Sequence, residues 1–190
     1  MKYSTCLFLL GLLFSTYLSA QVNDNFSDGD FATNPTWIGD TDRFQVSPAF
    51  ELQSNGLAAS DEIHLSTAST LVGETEWRIE ISYGFGPSTS NQIRIYLVSD
   101  QSDLEGTLNG YFVGVGETGS DDSYDLVRQD GTSTVKIIDG LLGRAGTTAE
   151  GILKVVRDAT GNWTLSTDLN QTGNFTLEGT IFDDTYTSSS

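Results

Sequence analysis

The feature that most constrains this chain is apolar alternation with a period of two. In Trp77-Arg-Ile-Glu-Ile-Ser-Tyr83, residues Trp77, Ile79, Ile81 and Tyr83 fall on one side and Arg78, Glu80 and Ser82 on the other. Ile93-Arg-Ile-Tyr-Leu-Val98 repeats the pattern, with Ile93, Ile95 and Leu97 together. Successive side chains of an extended strand point to opposite faces, so runs like these predict half-buried strands. Further strand candidates are Gly110–Val115, Tyr124–Gln129, Thr134–Ile138, Ile152–Arg157 and Trp163–Thr167. Asp130-Gly131 and Asp158-Ala-Thr-Gly161 fall between candidates and read as hairpin turns. Short strands at roughly 8–12-residue spacing, with almost no helical period, predict an all-β antiparallel sandwich or barrel. No βαβ alternation and no internal repeat is present.

Composition narrows the function. The 190 residues carry 26 acidic and 9 basic side chains, a formal charge of −17. A surface this negative repels nucleic-acid phosphates and anionic lipid headgroups, which argues against either as a partner. It serves solubility, and it can also collect divalent cations. Twenty glycines supply many turns, while Ile, Val, Leu and aromatic residues recur often enough to build a core.

Residues 1–20 read as a signal peptide. Lys2 gives the positive start, Cys6–Phe14 the apolar stretch, and Leu18-Ser-Ala20 the small-residue cleavage site, with Gln21 as the mature N-terminus. The apolar run is short for a membrane span. Cys6 is the sole cysteine and lies inside the apolar stretch, so the mature chain has no disulfide, thiolate nucleophile or cysteine metal ligand. The C-terminal Asp183-Asp-Thr-Tyr-Thr-Ser-Ser-Ser190 is polar and offers no closing apolar strand, which suggests a module of 21–187 lacking its final strand, with 188–190 as the polar end of a fragment. A flexible tail is the other reading.

Several stretches, in order, resemble an N-terminal module of secreted Bacteroidetes proteins. They are Asn25-Phe-Ser-Asp-Gly-Asp-Phe31, Asn34-Pro-Thr-Trp-Ile-Gly-Asp40, Leu65-Ser-Thr-Ala68, Arg94-Ile-Tyr-Leu-Val-Ser-Asp100, Leu108-Asn-Gly-Tyr-Phe-Val113, Leu126-Val-Arg-Gln-Asp-Gly131 and Gly161-Asn-Trp163. The resemblance implies a jelly-roll fold of the concanavalin A/laminin-G type, often preceding lamin-tail-like or sorting domains on the same polypeptide. It also implies a final strand with an aromatic-Asp-Asp pattern, placed beyond Ser190. Structural calcium near the meeting of the termini is a further implication.

Candidate sites follow from residue chemistry. Sugars stack on aromatic rings while polar neighbours bond their hydroxyls. Tyr96 and Arg94 share one strand face, Tyr124 and Arg128 another, and adjoining strands would merge them into one patch. Trp37, Trp77 and Trp163 read as core. Asp24, Asp28 and Asp30 cluster near the mature start and are the candidate calcium ligands, with turn formation as the alternative role. Asp40 with Asp42, and Asp121 with Asp122, are smaller acidic groups.

Catalysis finds little support. A retaining glycosidase needs two carboxylates about 5–5.5 Å apart. Glu76 and Glu80 share a face with Arg78 between them, the pattern of a solvated surface. His64, the only histidine, lacks a nucleophile elbow and reads as an exposed strand residue. The expectation is a secreted, non-catalytic recognition module with a glycan or cell-surface ligand. An adhesive spacer, or part of a glycoside-processing enzyme, are the alternatives.

Overall fold

The computed structural model describes residues 22–57, 61–119 and 121–189. Residues 1–20, which read as a signal peptide, and with them Cys6, lie outside the described residues. Two short ribbons come first: β1 (Ile38–Gly39) pairs with β4 (Leu65–Ser66), and β2 (Phe44–Val46) with β3 (Leu52–Ser54). Eight longer strands follow: β5 (Thr75–Tyr83), β6 (Ile93–Ser99), β7 (Leu108–Val115), β8 (Tyr124–Gly131), β9 (Ser133–Ile138), β10 (Ala149–Arg157), β11 (Asn162–Asp168) and β12 (Thr176–Phe182). They form two four-stranded antiparallel sheets, ordered β12-β11-β10-β5 and β6-β7-β8-β9.

The two sheets make a sandwich because each buries the apolar side of its alternation against the other. Ile81 and Tyr83 of β5, Leu153 and Val155 of β10, and Trp163 and Leu165 of β11 meet Tyr111, Val113 and Val115 of β7 and Tyr124 and Leu126 of β8. The core is aromatic at one end: Trp163 stacks on Trp77 at 5.6 Å and 13°, and Tyr111 lies 4.6 Å from Trp163. Of the three tryptophans read as core, Trp163 is fully buried and Trp77 packs against the cluster, while Trp37 sits outside it with Phe26 at 6.1 Å.

A bulge in β6 fixes the orientation of the face discussed below. Tyr96 pairs with Phe112 and Val98 with Tyr111, so Leu97 is an extra residue. Arg94 and Tyr96 point outward before the bulge, whereas Leu97 and Val98 are both buried after it. An inserted residue resets the side-chain alternation in this way. The bulge brings backbones together: a Cβ on Gly110 would lie 1.9 Å from the Val98 carbonyl oxygen.

Alternation in the sequence does not pick out β12. Its buried side chain is Glu178, the extra residue at a bulge opposite Leu165/Ser166, rather than an apolar residue, and Leu177 and Phe182 are exposed. The strand ends at Phe182, and Asp183-Asp184 follow directly.

Candidate functional site

The outward face of the β6-β7-β8-β9 sheet carries an aromatic and polar patch. Arg94 and Tyr96 come from β6, Phe112 and Gly114 from β7, and Val127 and Gln129 from β8, brought together by the pairs Tyr96–Phe112, Phe112–Val127 and Arg94–Gly114. Phe112 points away from the sandwich core yet is only 2% exposed. Its ring lies over Gly114, where an added Cβ would meet it at 3.3 Å. Tyr96 flanks it at 5.0 Å, tilted by 44°, and the Arg94 guanidinium lies 5.6 Å from its centroid. This is an aromatic pair with a cation over the ring.

Amides hold the polar groups of the patch. Tyr96 donates its hydroxyl to Gln129 Oε1 at 2.6 Å, and Gln129 Nε2 donates to the Gly131 carbonyl at 2.9 Å. Arg94 Nε donates to Gln92 Oε1 at 2.6 Å, and Gln92 Nε2 donates to the Gly116 carbonyl at 3.0 Å. Each chain of bonds ends on backbone, so the side chains are fixed before any ligand arrives. Burial raises the Tyr96 hydroxyl above the ordinary tyrosine value, against the lowering influence of Arg94, and keeps it a neutral donor.

Tyr124 and Arg128 share a strand face, but it is the inward one, opposite to Arg94 and Tyr96. The four residues therefore do not form one patch. Tyr124 is fully buried and its hydroxyl contacts that of Tyr83 at 3.2 Å. Arg128 is engaged at one end of the sandwich. Its Nε donates to both Asp130 oxygens at 3.0 and 3.2 Å, and its Nη1 donates to Asp183 at 2.5 Å and to the Thr185 hydroxyl at 3.2 Å. Asp183 also accepts from the Tyr111 hydroxyl at 2.6 Å, and Tyr186 donates to Asp130 at 2.6 Å. This network straps residues 183–186 across the end of the core. Burial and the Asp183 carboxylate push the Tyr111 hydroxyl up to about 12.

The carboxylates sort into three kinds of arrangement. Asp24 accepts from the Phe26 amide and from Trp37 Nε1, both at 2.8 Å. Asp28 accepts from the Asp30 amide at 3.3 Å, and Asp30 from the Ala32 and Thr33 amides at 2.8 and 3.1 Å. These are Asx turns. Asp28 and Asp30 face local backbone and Asp24 also holds the Trp37 indole, and the three are not among the described carboxylate groups whose oxygens lie within 4.8 Å of one another. Glu117, Asp125 and Asp139 do converge, and Lys136 Nζ stands among them at 2.7, 2.9 and 2.8 Å. Asp40 and Glu105 converge on His64, whose Nδ1 lies 3.2 and 3.1 Å from their oxygens.

His64 thus differs from the exposed strand residue that alternation predicts. It is half-buried just before β4, with its ring against Gly39. Glu105, 41 residues away, leaves no local signal for the contact. On the outer face of β5, Glu76 accepts from Arg78 at 2.8 Å and Glu80 from Gln171 at 3.2 Å.

No protein-family model, curated protein or solved structure matches the chain. Among the described residues no helix is long and apolar enough to cross a membrane.

Proposed function

We propose that the chain is a secreted bacterial, non-catalytic recognition module that binds carbohydrate on the outward face of the β6-β7-β8-β9 sheet. The observation that carries this reading is the Tyr96–Phe112–Arg94 platform with its amide-anchored polar groups. Tyr96 supplies the partly exposed ring, with the covered Phe112 ring backing it, and a ring beside fixed donors suits a sugar, which offers an apolar face and a rim of hydroxyls. Gly114 supports the reading by keeping the strand beneath Arg94 and Phe112 free of a side chain. Secretion rests on the signal-peptide pattern of residues 1–20, and the bacterial source on the sequence resemblance. The non-catalytic assignment is supported by Glu76 and Glu80, which are paired to neighbouring cations and amides on a solvated face rather than aimed at one point.

The test is a glycan array probed with the mature protein and with Tyr96→Ala and Arg94→Ala. At least one glycan is expected to bind, and both variants to lose it while keeping the wild-type far-UV spectrum. Tyr96→Phe retains the ring and is expected to retain part of the signal. Binding to no glycan would overturn the proposal and leave the adhesive-spacer reading.

A further inference from the structure

We infer that Asp40, His64 and Glu105 form a three-ligand site for a zinc-class divalent ion. The reasoning begins with the second carboxylate cluster. Where Glu117, Asp125 and Asp139 converge, the chain supplies its own cation, the Lys136 ammonium, within 3 Å of all three. At Asp40 and Glu105, among the described residues, no lysine or arginine is placed between the carboxylates; Arg43 acts on Asp40 from outside the cluster and pairs with Asp42 and Asp61. What stands there is an imidazole nitrogen, and both carboxylates approach the same one, Nδ1. A single N–H is shared poorly between two acceptors, whereas a divalent ion bonds all three donors at once.

The spacing agrees. Zinc bound tetrahedrally at about 2.0–2.1 Å places neighbouring donors about 3.3 Å apart. The Nδ1–carboxylate distances here are 3.2 and 3.1 Å, and the three donor atoms all lie within 4.8 Å of one another. One imidazole and two carboxylates suit zinc better than calcium, which takes six to eight oxygens. Three protein ligands leave the fourth corner to water.

The ligands are also positioned in advance. Asp40 Oδ2 accepts from the His64 amide at 2.9 Å, and the Asp40 amide donates to the His64 carbonyl at 2.9 Å. The ring packs on Gly39, whose φ of +123° and missing side chain leave room for it: a Cβ there would lie 3.0 Å from the ring and 2.4 Å from the His64 carbonyl oxygen. Among the described residues Glu105 is held by His64 and by no backbone amide, so it is anchored less tightly than Asp40. The side chain of His64 is 17% exposed and that of Glu105 40%, so the site opens to solvent. The negative charge of the chain raises the local concentration of cations. A bound ion would tie the β1–β4 ribbon to the segment before β7.

The test uses the mature chain, stripped with chelator and titrated with Zn²⁺ and with Co²⁺. One ion per chain is expected, with the visible absorption of four-coordinate cobalt and a rise in melting temperature with zinc. His64→Ala and Glu105→Gln are expected to weaken binding by more than about 100-fold, beyond the 10–100-fold typical of losing an outer-shell partner. Asp139→Asn, in the lysine-filled cluster, leaves it unchanged. Glu105→Gln, at an exposed loop position, tests the site without disturbing the ribbon. Equal affinity of wild type and His64→Ala, or binding lost in Asp139→Asn, would overturn the inference. So would melting that responds to pH near neutrality and not to zinc, which would assign the cluster to a proton.

Discussion

Replacing Asp183 with Asn removes one charge from the network that closes the sandwich end. Asp183 is 8% exposed and accepts from Tyr111 at 2.6 Å, from the Thr185 amide at 3.0 Å and from Arg128 at 2.5 Å. Asn preserves the shape and one acceptor oxygen, which can keep Tyr111 and Thr185. Its amide group then faces Arg128 Nη1, donor against donor. Breaking a fully buried ion pair costs about 3–5 kcal/mol. Arg128 is partly exposed and keeps both oxygens of Asp130, so we take the lower range for a lost charged hydrogen bond, about 2–3 kcal/mol. At about 2–4 °C per kcal/mol for a domain of this size, the melting temperature falls by about 5–10 °C at pH 7. Burial works against the Asp183 charge, but hydrogen bonds from Tyr111, Thr185 and Arg128 outweigh it, so its pKa lies below the ordinary carboxylate value of 3.8. A depressed carboxylate stabilises the fold above the unfolded-state pKa and loses that contribution as pH falls through the folded-state value. The gap between wild type and Asp183→Asn therefore narrows below about pH 4. Scanning calorimetry at pH 7 and pH 3 measures both, with the neighbouring exposed Asp184→Asn expected within about 0.5 kcal/mol of wild type. Equal melting temperatures at pH 7, or a gap that does not shrink in acid, would refute the reasoning.

Two further perturbations probe other parts of the frame. Gly110→Ala drives a methyl group to 1.9 Å from the Val98 carbonyl oxygen at the β6 bulge, so it is expected to cost at least about 1–3 kcal/mol, read as a lower urea midpoint. Lys136→Met leaves Glu117, Asp125 and Asp139 facing one another. Hydrogen bonding to Lys136 holds Glu117 below the ordinary glutamate value against its partial burial, so the variant is expected to melt several degrees lower at pH 7, and the deficit to shrink as pH falls through the lowered Glu117 value. A deficit that does not shrink in acid would argue against this account.

The long strands were legible because their burial is one-sided. Trp77, Ile79, Ile81 and Tyr83 face inward from β5 as their spacing requires, and the seven alternating runs all fall within strands. β12 escapes the same reasoning because a bulge interrupts its alternation and its one fully covered side chain, Glu178, is charged. Glu178 accepts from the Leu141 amide at 3.0 Å and from Arg144 Nε at 3.3 Å and Thr167 Oγ1 at 2.5 Å, so hydrogen bonds replace apolar packing there. Gly179 then yields to the Ile138 side chain from the other sheet, which a Cβ would meet at 2.5 Å. Parity within one strand is readable, but parity between strands is not. Tyr96 and Tyr124 look alike in sequence; only the pairing of β6 through β8, with the bulge at Leu97, places one outside and the other in the core. Phe112 could not be recognised as part of a platform for the same reason, since it stands between the core residues Tyr111 and Val113.

The acidic composition acquires structural meaning from where the few cations sit. Arg128 bridges Asp130 and Asp183, Lys136 gathers Glu117, Asp125 and Asp139, and Arg144 reaches Glu178. Each pins a strand end or a following loop to the sandwich, so these lysine and arginine positions are committed to the frame. Arg94 is the contrast: its Nε bonds the neutral Gln92 and its charge lies against Phe112 rather than against a carboxylate. Among the described residues Lys154 and Arg157 also make no ion pair with a carboxylate, but Lys154 lies over the Phe175 ring and Arg157 is buried against Trp163, whereas Arg94 is exposed on the outward sheet face. An exposed guanidinium held over a ring is what the proposed recognition face would offer a ligand. At Asp40 and Glu105, among the described residues, no lysine or arginine stands between the carboxylates and Arg43 acts on Asp40 only from outside the cluster, so a cation from solution completes the charge balance there.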